Sequence, residues 1–469
     1  MDKIKFGTDG WRGIIAKDFT LANVAKVAYA VARYLAGKYT VPTAVIGYDC
    51  RFGGEMFMEA FAKILASKNI RVYISENIVS TPMVSLGVVK PKAQCGVMIT
   101  ASHNSADYNG IKLKGEHGGP MLDKDVKDIE NLISSDYDFD LEMLNWNYLI
   151  EQGFIQYINL ESIYLKNIYD NFDVDSIRHS GIRFAFDAMY GSAQNVFKKL
   201  LPDTKLFRCE INPSFMGIPP DPVHKNLHQI EEYIFQNKDI DFALAVDGDG
   251  DRIALFDEKG NFIDSHHIFL LLIYYLAEYK KLSGTVVASF SVTDRLEYLC
   301  THYGLEVIRT PIGFKEISRI MLQENILAGG EESGGMTTGT YLPERDGVWI
   351  GLTILNWLVE SKKKLSELIT EIIAITGPFA YERMDMEFNK NVRNKILDNC
   401  KNNFYTEFGE YPVSKVVSLD GYKYYLGDEK WVMIRASGTE PVLRIYAEAK
   451  DSEKVSSILK SVMNTLNKT

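Results

Sequence analysis

Four short stretches of this chain combine reactive side chains with backbone that can bend sharply. The first is Gly96-Val97-Met98-Ile99-Thr100-Ala101-Ser102-His103-Asn104-Ser105, continuing to Asn109-Gly110-Ile111-Lys112. The apolar run Val97 to Ile99 reads as a buried strand that stops at small and polar residues. A hydroxyl, Ser102, then stands beside an imidazole, His103, with the amide of Asn109 and the ammonium of Lys112 a few residues on. Open α/β sheets place their ligands at the carboxyl ends of such strands, although an ordinary strand exit explains the same residues equally well. The second stretch is Asp247-Gly248-Asp249-Gly250-Asp251-Arg252. Carboxylates at alternating positions, separated by glycines that let the chain turn, can converge on one hard cation.

A calcium loop of about twelve residues would end at Glu258, but it needs glycine at the sixth position, where Arg252 stands. The run Ile253-Ala254-Leu255-Phe256 that follows reads as a strand. Three carboxylates with few other protein oxygens suit Mg²⁺, which completes its octahedron with water or phosphate oxygen. The third stretch, Gly329-Gly330-Glu331-Glu332-Ser333-Gly334-Gly335, offers Glu332 and Ser333 as acceptors for vicinal hydroxyls, and its carboxylates do not attract phosphate. The fourth, Arg435-Ala436-Ser437-Gly438-Thr439-Glu440-Pro441, joins two strands as an anion nest of one guanidinium, two hydroxyls and turn amides. Two weaker anion sites accompany these. Arg12 lies in the loop Phe6-Gly7-Thr8-Asp9-Gly10-Trp11-Arg12-Gly13, and Gly313 and Lys315 lie in a turn at the start of a helix.

The elements that must position these loops alternate. Helices are expected over 20–38 and 55–68 and strands over 44–49 and 72–74, a parallel doubly wound layer to which the strand before Ser102 belongs. A second alternation runs from a strand at 183–186 to one ending at Val246. A third has helices over 268–279, 293–302 and 314–324 and strands over 285–289 and 306–309. From about Ala374 short alternating segments read as a small antiparallel α+β unit. The expected fold class is α/β, with three doubly wound mixed or parallel domains at 1–152, 153–256 and 257–373 and a smaller α+β domain at 374–469.

Composition narrows the partners. The 469 residues carry 52 Lys plus Arg against 62 Asp plus Glu, a formal charge of −10, which argues against nucleic acid or anionic membrane as the main partner. Cys50, Cys95, Cys209, Cys300 and Cys400 are scattered, so neither a disulfide framework nor a zinc site is expected. There is no apolar signal segment at the N-terminus, and the longest apolar run, Ile268 to Ala277, is too short to span a bilayer. A reduced, cytoplasmic protein, monomer or homodimer, is expected.

Taken together and in this order, the stretches resemble the α-D-phosphohexomutase family, the phosphoglucomutases and phosphomannomutases. The resemblance covers nearly the whole chain. It implies four domains around a central cleft, a phosphorylated serine at Ser102, and Mg²⁺ held by Asp247, Asp249 and Asp251 together with the serine phosphate. It implies sugar recognition by Glu332 and Ser333, and substrate-phosphate recognition by Arg435, Ser437, Gly438 and Thr439, with Arg252, Gly313 and Lys315 as further substrate contacts. Lys112 matches the family's Asn-Gly-x-Lys lysine, an acid/base candidate, and Arg12 an arginine of the N-terminal loop. His103 then supports the loop, because a phosphorylated serine needs no activating base.

Ser105 departs from the family's usual proline. Gly335 stands where the phosphoglucosamine and dual mannose/glucose branches carry histidine. The implied activity interconverts glucose 1-phosphate and glucose 6-phosphate through a phosphoserine and a hexose 1,6-bisphosphate. Phosphomannomutase or phosphoglucosamine mutase activity by the same mechanism is the alternative. A phosphatase using the acidic loop, or a sugar-phosphate binding protein, are the rivals of other classes.

Overall fold

Val97, Met98 and Ile99 lie in the strand Cys95–Ile99, buried at every position, inside a six-stranded sheet. The structure is a computed structural model in which residues 4–134, 140–427, 429–437 and 442–468 are described. Alternate side chains of this strand serve two cores. Val97 and Ile99 pack with the helices Leu21–Lys38 and Gly54–Ser67, while Met98 faces the helix Thr81–Val89. Burial on both faces explains why the run reads as continuously apolar. Cys95–Ile99 pairs in parallel with Thr43–Tyr48 and antiparallel with Tyr108–Gly115, so the Ser102 loop connects two neighbouring antiparallel strands.

The same device recurs. The Asp-Gly-Asp-Gly-Asp loop joins Phe242–Val246 to the antiparallel Ile253–Phe256 in a five-stranded sheet. The Glu332 loop joins Ile326–Gly330 to the antiparallel Met336–Thr338 in a four-stranded sheet. Each of these sheets has a parallel part formed by strands such as Phe184–Asp187 or Thr285–Ser289. The last sheet is wholly antiparallel, in the order Ala380–Glu387, Val442–Ala449, Trp431–Ala436, Tyr422–Tyr425, Lys415–Ser418, and is backed by the helices Lys390–Lys401 and Ser452–Leu466. Three mixed α/β units and one α+β unit are thus present. The strand Ile155–Ile158 is the sixth strand of the first sheet, paired with Arg71–Ser75, so a boundary at 152 cuts off the strand that completes it.

The helices Thr81–Val89 and Gly347–Ser361 escape a periodicity reading because nearly every residue of both is buried, which leaves no polar face to mark a period of 3.6. No helix among the described residues is long and apolar enough to cross a membrane.

Asp346 caps the Gly347–Ser361 helix by accepting from Trp349 N at 2.9 Å, and it also accepts the hydroxyls of Tyr164 and Tyr341 at 2.8 and 2.7 Å. Burial pushes its carboxyl up to about 7. A group raised in the folded state stabilises fully below its unfolded value and loses that contribution as pH rises through its folded value. The charged form of Asp346 should therefore cost the fold about 4 kcal/mol between pH 4 and pH 7. Asp346→Asn, which keeps the cap, should flatten the pH dependence of chemical denaturation over that window; a slope equal to that of the wild type would contradict this.

Candidate active site

Ser102 occupies the left-handed region with φ 52°, a conformation costing a non-glycine residue on the order of 1–3 kcal/mol. Its buried hydroxyl donates to Asp247 Oδ2 at 2.6 Å. The approach of the two loops requires Gly248: a Cβ there would lie 2.6 Å from the carbonyl oxygen of Ser102. The serine, from the first sheet, and the acidic loop, from the second, therefore meet with no intervening side chain.

Asp247, Asp249 and Asp251 are all fully buried, and their ligand oxygens lie within 4.8 Å of one another. Burial, reinforced by Asp249 and Asp251, holds Asp247 well above the usual carboxylate range. Asp249 Oδ2 accepts from Thr81 Oγ1 at 2.5 Å and from Lys112 Nζ at 2.7 Å. Asp251 Oδ2 accepts from Lys112 at 2.6 Å and from Arg345 at 2.7 Å. The other oxygens, Oδ1 of Asp249 and of Asp251, are buried without a hydrogen-bond partner. Unpaired buried carboxylate oxygens are costly, and a converging set of them is what a small hard dication requires. These residues fit a divalent metal.

Lys112 is enclosed by carboxylates, with Asp9 Oδ2 as its third partner at 2.8 Å. Burial works against its charge, but Asp249, Asp251 and Asp9 outweigh it and raise the ammonium above its ordinary value. His103 Nδ1 lies 3.4 Å from the Ser102 hydroxyl. Burial, with Arg252, Arg12 and Lys112 adding to it, lowers the imidazole well below its ordinary value, so His103 is neutral. Arg12 donates to the Asn104 side chain at 2.6 Å and so touches the Ser102 loop.

The remaining expected residues gather around this centre to different degrees. The Arg252 side chain pairs with Asp221 at 3.2 Å, while its backbone bridges to Gly335 and ties the acidic loop to the Glu332 loop. Glu332 accepts from Ser291 at 2.5 Å and Ser289 at 3.2 Å, which fixes one of its oxygens. Ser333 follows it, half-buried. Gly313 donates its N–H to Glu331 Oε1 at 2.9 Å. Lys315 pairs with Asp123 at 2.7 Å, and both line a cavity of about 250 Å³ that also reaches Thr8, Asp9 and Lys112. Arg435 pairs with Asp420 at 3.1 Å, and the same carboxylate accepts from Ile312 N at 2.9 Å, linking the last domain to the Gly313 turn. Ser437 is buried at the end of its strand, and Gly438 and Thr439 lie outside the described residues.

Several residues of the site are not singled out by the sequence reading. Arg345 donates to Asp9 Oδ2 at 2.5 Å as well as to Asp251, and Glu331 stands 3.6 Å from it. Its stem fills the space over Gly335, where a Cβ would lie 2.2 Å from Arg345 Cδ. Burial, despite Arg345, pushes Glu331 up to about 7. Neighbouring Glu344 forms a fully buried pair with Lys114. The charged triplet Glu344-Arg345-Asp346 ahead of an apolar helix was a visible signal, since such residues are seldom buried unless paired. Ser105 is accommodated by contacts of its own: its hydroxyl donates to Asp107 at 2.5 Å and its carbonyl accepts from Arg51 at 2.7 Å.

Four family descriptions match in sequence: phosphoglucomutase/phosphomannomutase alpha/beta/alpha domain I over residues 3–139, domain II over 162–260, domain III over 264–375 and the C-terminal domain over 403–465. A phosphoglucomutase/phosphomannomutase of Thermococcus kodakarensis is 31% identical, over 96% of this chain and 95% of its own. The chain belongs to the phosphoglucomutase/phosphomannomutase family of α-D-phosphohexomutases. It is an enzyme of the mutase type. A phosphoglucosamine mutase of a Thermoanaerobacter species is 30% identical, over 99% of this chain and 98% of its own. The crystal structure of a putative phosphomannomutase from Thermus thermophilus superposes with a TM-score of 0.87 at 31% identity, covering 99% of both chains. The fold and the order of its four domains are therefore those of the family.

Proposed function

We propose that this enzyme interconverts glucose 1-phosphate and glucose 6-phosphate, with Ser102 as the phosphoryl carrier and a hexose 1,6-bisphosphate as the intermediate. The observation that carries this reading is the Ser102 hydroxyl set at 2.6 Å from Asp247 of a buried acidic triad in which one oxygen each of Asp249 and Asp251 has no hydrogen-bond partner. Mg²⁺ held by Asp247, Asp249, Asp251 and an oxygen on Ser102 would neutralise charge on the transferring phosphoryl group.

In the forward half-reaction the P–O bond to Ser102 breaks and a P–O bond to a sugar hydroxyl forms. The hydroxyl proton ends on Ser102 Oγ, and the bisphosphate is released from the serine. After the bisphosphate reverses its orientation, the opposite transfer rephosphorylates Ser102. Lys112 is the proposed proton relay: held charged by Asp9, Asp249 and Asp251, it can protonate the departing serine oxygen. Arg12 steadies the loop and presents a guanidinium to phosphate, and His103, neutral, supports the serine backbone. Arg435, Ser437, Gly438 and Thr439, with Arg252, Gly313 and Lys315, are assigned to the distal phosphate. The buried position of Ser102 keeps water from the phosphoserine.

The glucose preference rests on the sugar loop, in which Gly335 replaces histidine and Arg345 occupies the space above it. Relatives described as phosphoglucosamine mutases favour a second reading, the same chemistry on glucosamine phosphate. Turnover of the glucose, mannose and glucosamine 1-phosphates, measured side by side, separates the two, and preference for a sugar other than glucose overturns the first. Glu332→Gln removes the charge of the acceptor proposed to bind the sugar hydroxyls. It should lower kcat/KM by about 10- to 100-fold, in line with about 1.5–3 kcal/mol for a hydrogen bond to a charged group. Unchanged kcat/KM would remove Glu332 from the sugar site.

A further inference from the structure

The reactive loop is held from behind by one buried guanidinium. Arg51 is 3% exposed, and its terminal nitrogens donate to four carbonyls of that loop: Ser102 and Asn104 at 2.6 Å each, Ser105 at 2.7 Å and Tyr108 at 3.0 Å. Its Nε lies 3.3 Å from Asp49 Oδ2, which also accepts the Thr100 hydroxyl at 2.5 Å; the Thr100 oxygen in turn accepts the N–H of Ser102 at 2.8 Å. Both donors on each terminal nitrogen are used, and only a planar, five-donor group can use them in this way.

The second domain closes over this fork. The Phe215 ring stands 5.0 Å from the Arg51 guanidinium carbon and is itself 2% exposed. Phe215 and Met216 are successive non-glycine residues in the left-handed region, with φ 48° and 52°, a strained pair that persists only where the surroundings enforce it. A few residues on, Pro220 accepts the N–H of Gly248 at 3.1 Å and Asp221 holds Arg252, so the same segment grips the acidic loop.

We propose that Arg51, clamped by Phe215, is the positioning residue of the reactive loop: it holds Ser102 in its left-handed conformation and, through the segment 214–221, in register with the acidic loop. This rests on Ser102 being the phosphoryl carrier. Arg51 and Phe215 are both buried beneath the loop. The strain at Ser102 is sustained by carbonyl acceptors that a lysine cannot reach together, and a displacement of about 1 Å costs an in-line transfer on the order of 100-fold.

The test compares wild type, Arg51→Lys, Phe215→Ala and Ser102→Ala by steady-state kinetics, hydrogen exchange and thermal unfolding. Arg51→Lys should lower kcat about 100-fold or more while KM for glucose 1-phosphate moves less than about threefold. Phe215→Ala should shift the same parameter in the same direction by a smaller factor. In both variants the amides of 102–108 should exchange faster while those of the strand Thr43–Tyr48 keep wild-type protection. Wild-type kcat in Arg51→Lys, or a loss carried by KM, overturns the assignment. So does unchanged exchange across 102–108, a readout that needs no activity. Full activity in Ser102→Ala would instead remove the reading on which the proposal rests. Should Arg51→Lys not fold, Phe215→Ala carries the same test.

Discussion

Ser102→Ala is expected to lose at least about 10⁴-fold in kcat, because Ser102 supplies the hydroxyl set against Asp247, while the Thr81 hydroxyl on the triad is taken up by Asp249. The neighbouring imidazole cannot take over. His103 is neutral, but its nearest ring nitrogen is 3.4 Å from the serine oxygen and no hydrogen bond or ion pair joins it to the acidic triad. The fold should survive, since only one donor to Asp247 is lost and that carboxyl is already held toward its neutral form by burial and by its two acidic neighbours. Circular dichroism and the hexose-phosphate Kd would then match wild type while turnover disappears. A full-rate Ser102→Ala enzyme would sink the phosphoserine mechanism.

The second large effect is on stability and concerns Lys112→Met. Asp9, Asp249 and Asp251 share this one ammonium at 2.8, 2.7 and 2.6 Å. Removing it leaves buried carboxylates facing each other, and breaking a buried pair of this kind costs about 3–5 kcal/mol. Arg345 still reaches Asp9 and Asp251 but has no contact with Asp249 among its ion pairs, so the loss falls most heavily there. In metal-free buffer the variant should therefore unfold at markedly lower denaturant than wild type. Added Mg²⁺ should recover much of the difference, because a cation on the aspartates takes the place of the missing ammonium. The Mg²⁺-induced rise in Tm should thus be larger for Lys112→Met than for wild type. Equal stability without metal, or an equal metal-induced rise, would contradict the arrangement. Turnover should stay at least about 100-fold down even with metal, since the proposed proton relay is removed.

What was legible in the sequence was the local chemistry. Alternating Asp and Gly residues after an apolar strand can form only a tight acidic turn, and the structure places that turn between antiparallel strands. The alternation of helices and strands likewise carries the α/β class, because each layer hides a regular apolar face. What was not legible is set by contacts between distant parts of the chain. Arg51 and Arg345 are ordinary arginines until folding buries them against carbonyls and carboxylates 51 to 336 positions away. Asp9 sits in a glycine-rich loop that looks like a surface turn, yet burial there is outweighed by Arg345 and Lys112, which hold its carboxyl well below the usual range. The helix Thr81–Val89 supplies Thr81 to Asp249 but has no amphipathic period to betray it. Lys315 shows the converse: its motif suggested an anion site, while its ammonium pairs with Asp123 across the cavity edge.

The central claim is that the phosphoryl group passes through Ser102, and a single-turnover label transfer tests it most directly. Enzyme labelled from ³²P-glucose 1,6-bisphosphate is freed of excess label, digested in one aliquot to locate the label, and mixed with unlabelled glucose 1-phosphate in another. The account predicts label on the peptide containing Ser102 and its quantitative appearance in the bisphosphate, then in glucose 6-phosphate. Label on another residue, or its release as inorganic phosphate with no labelled bisphosphate, would contradict it.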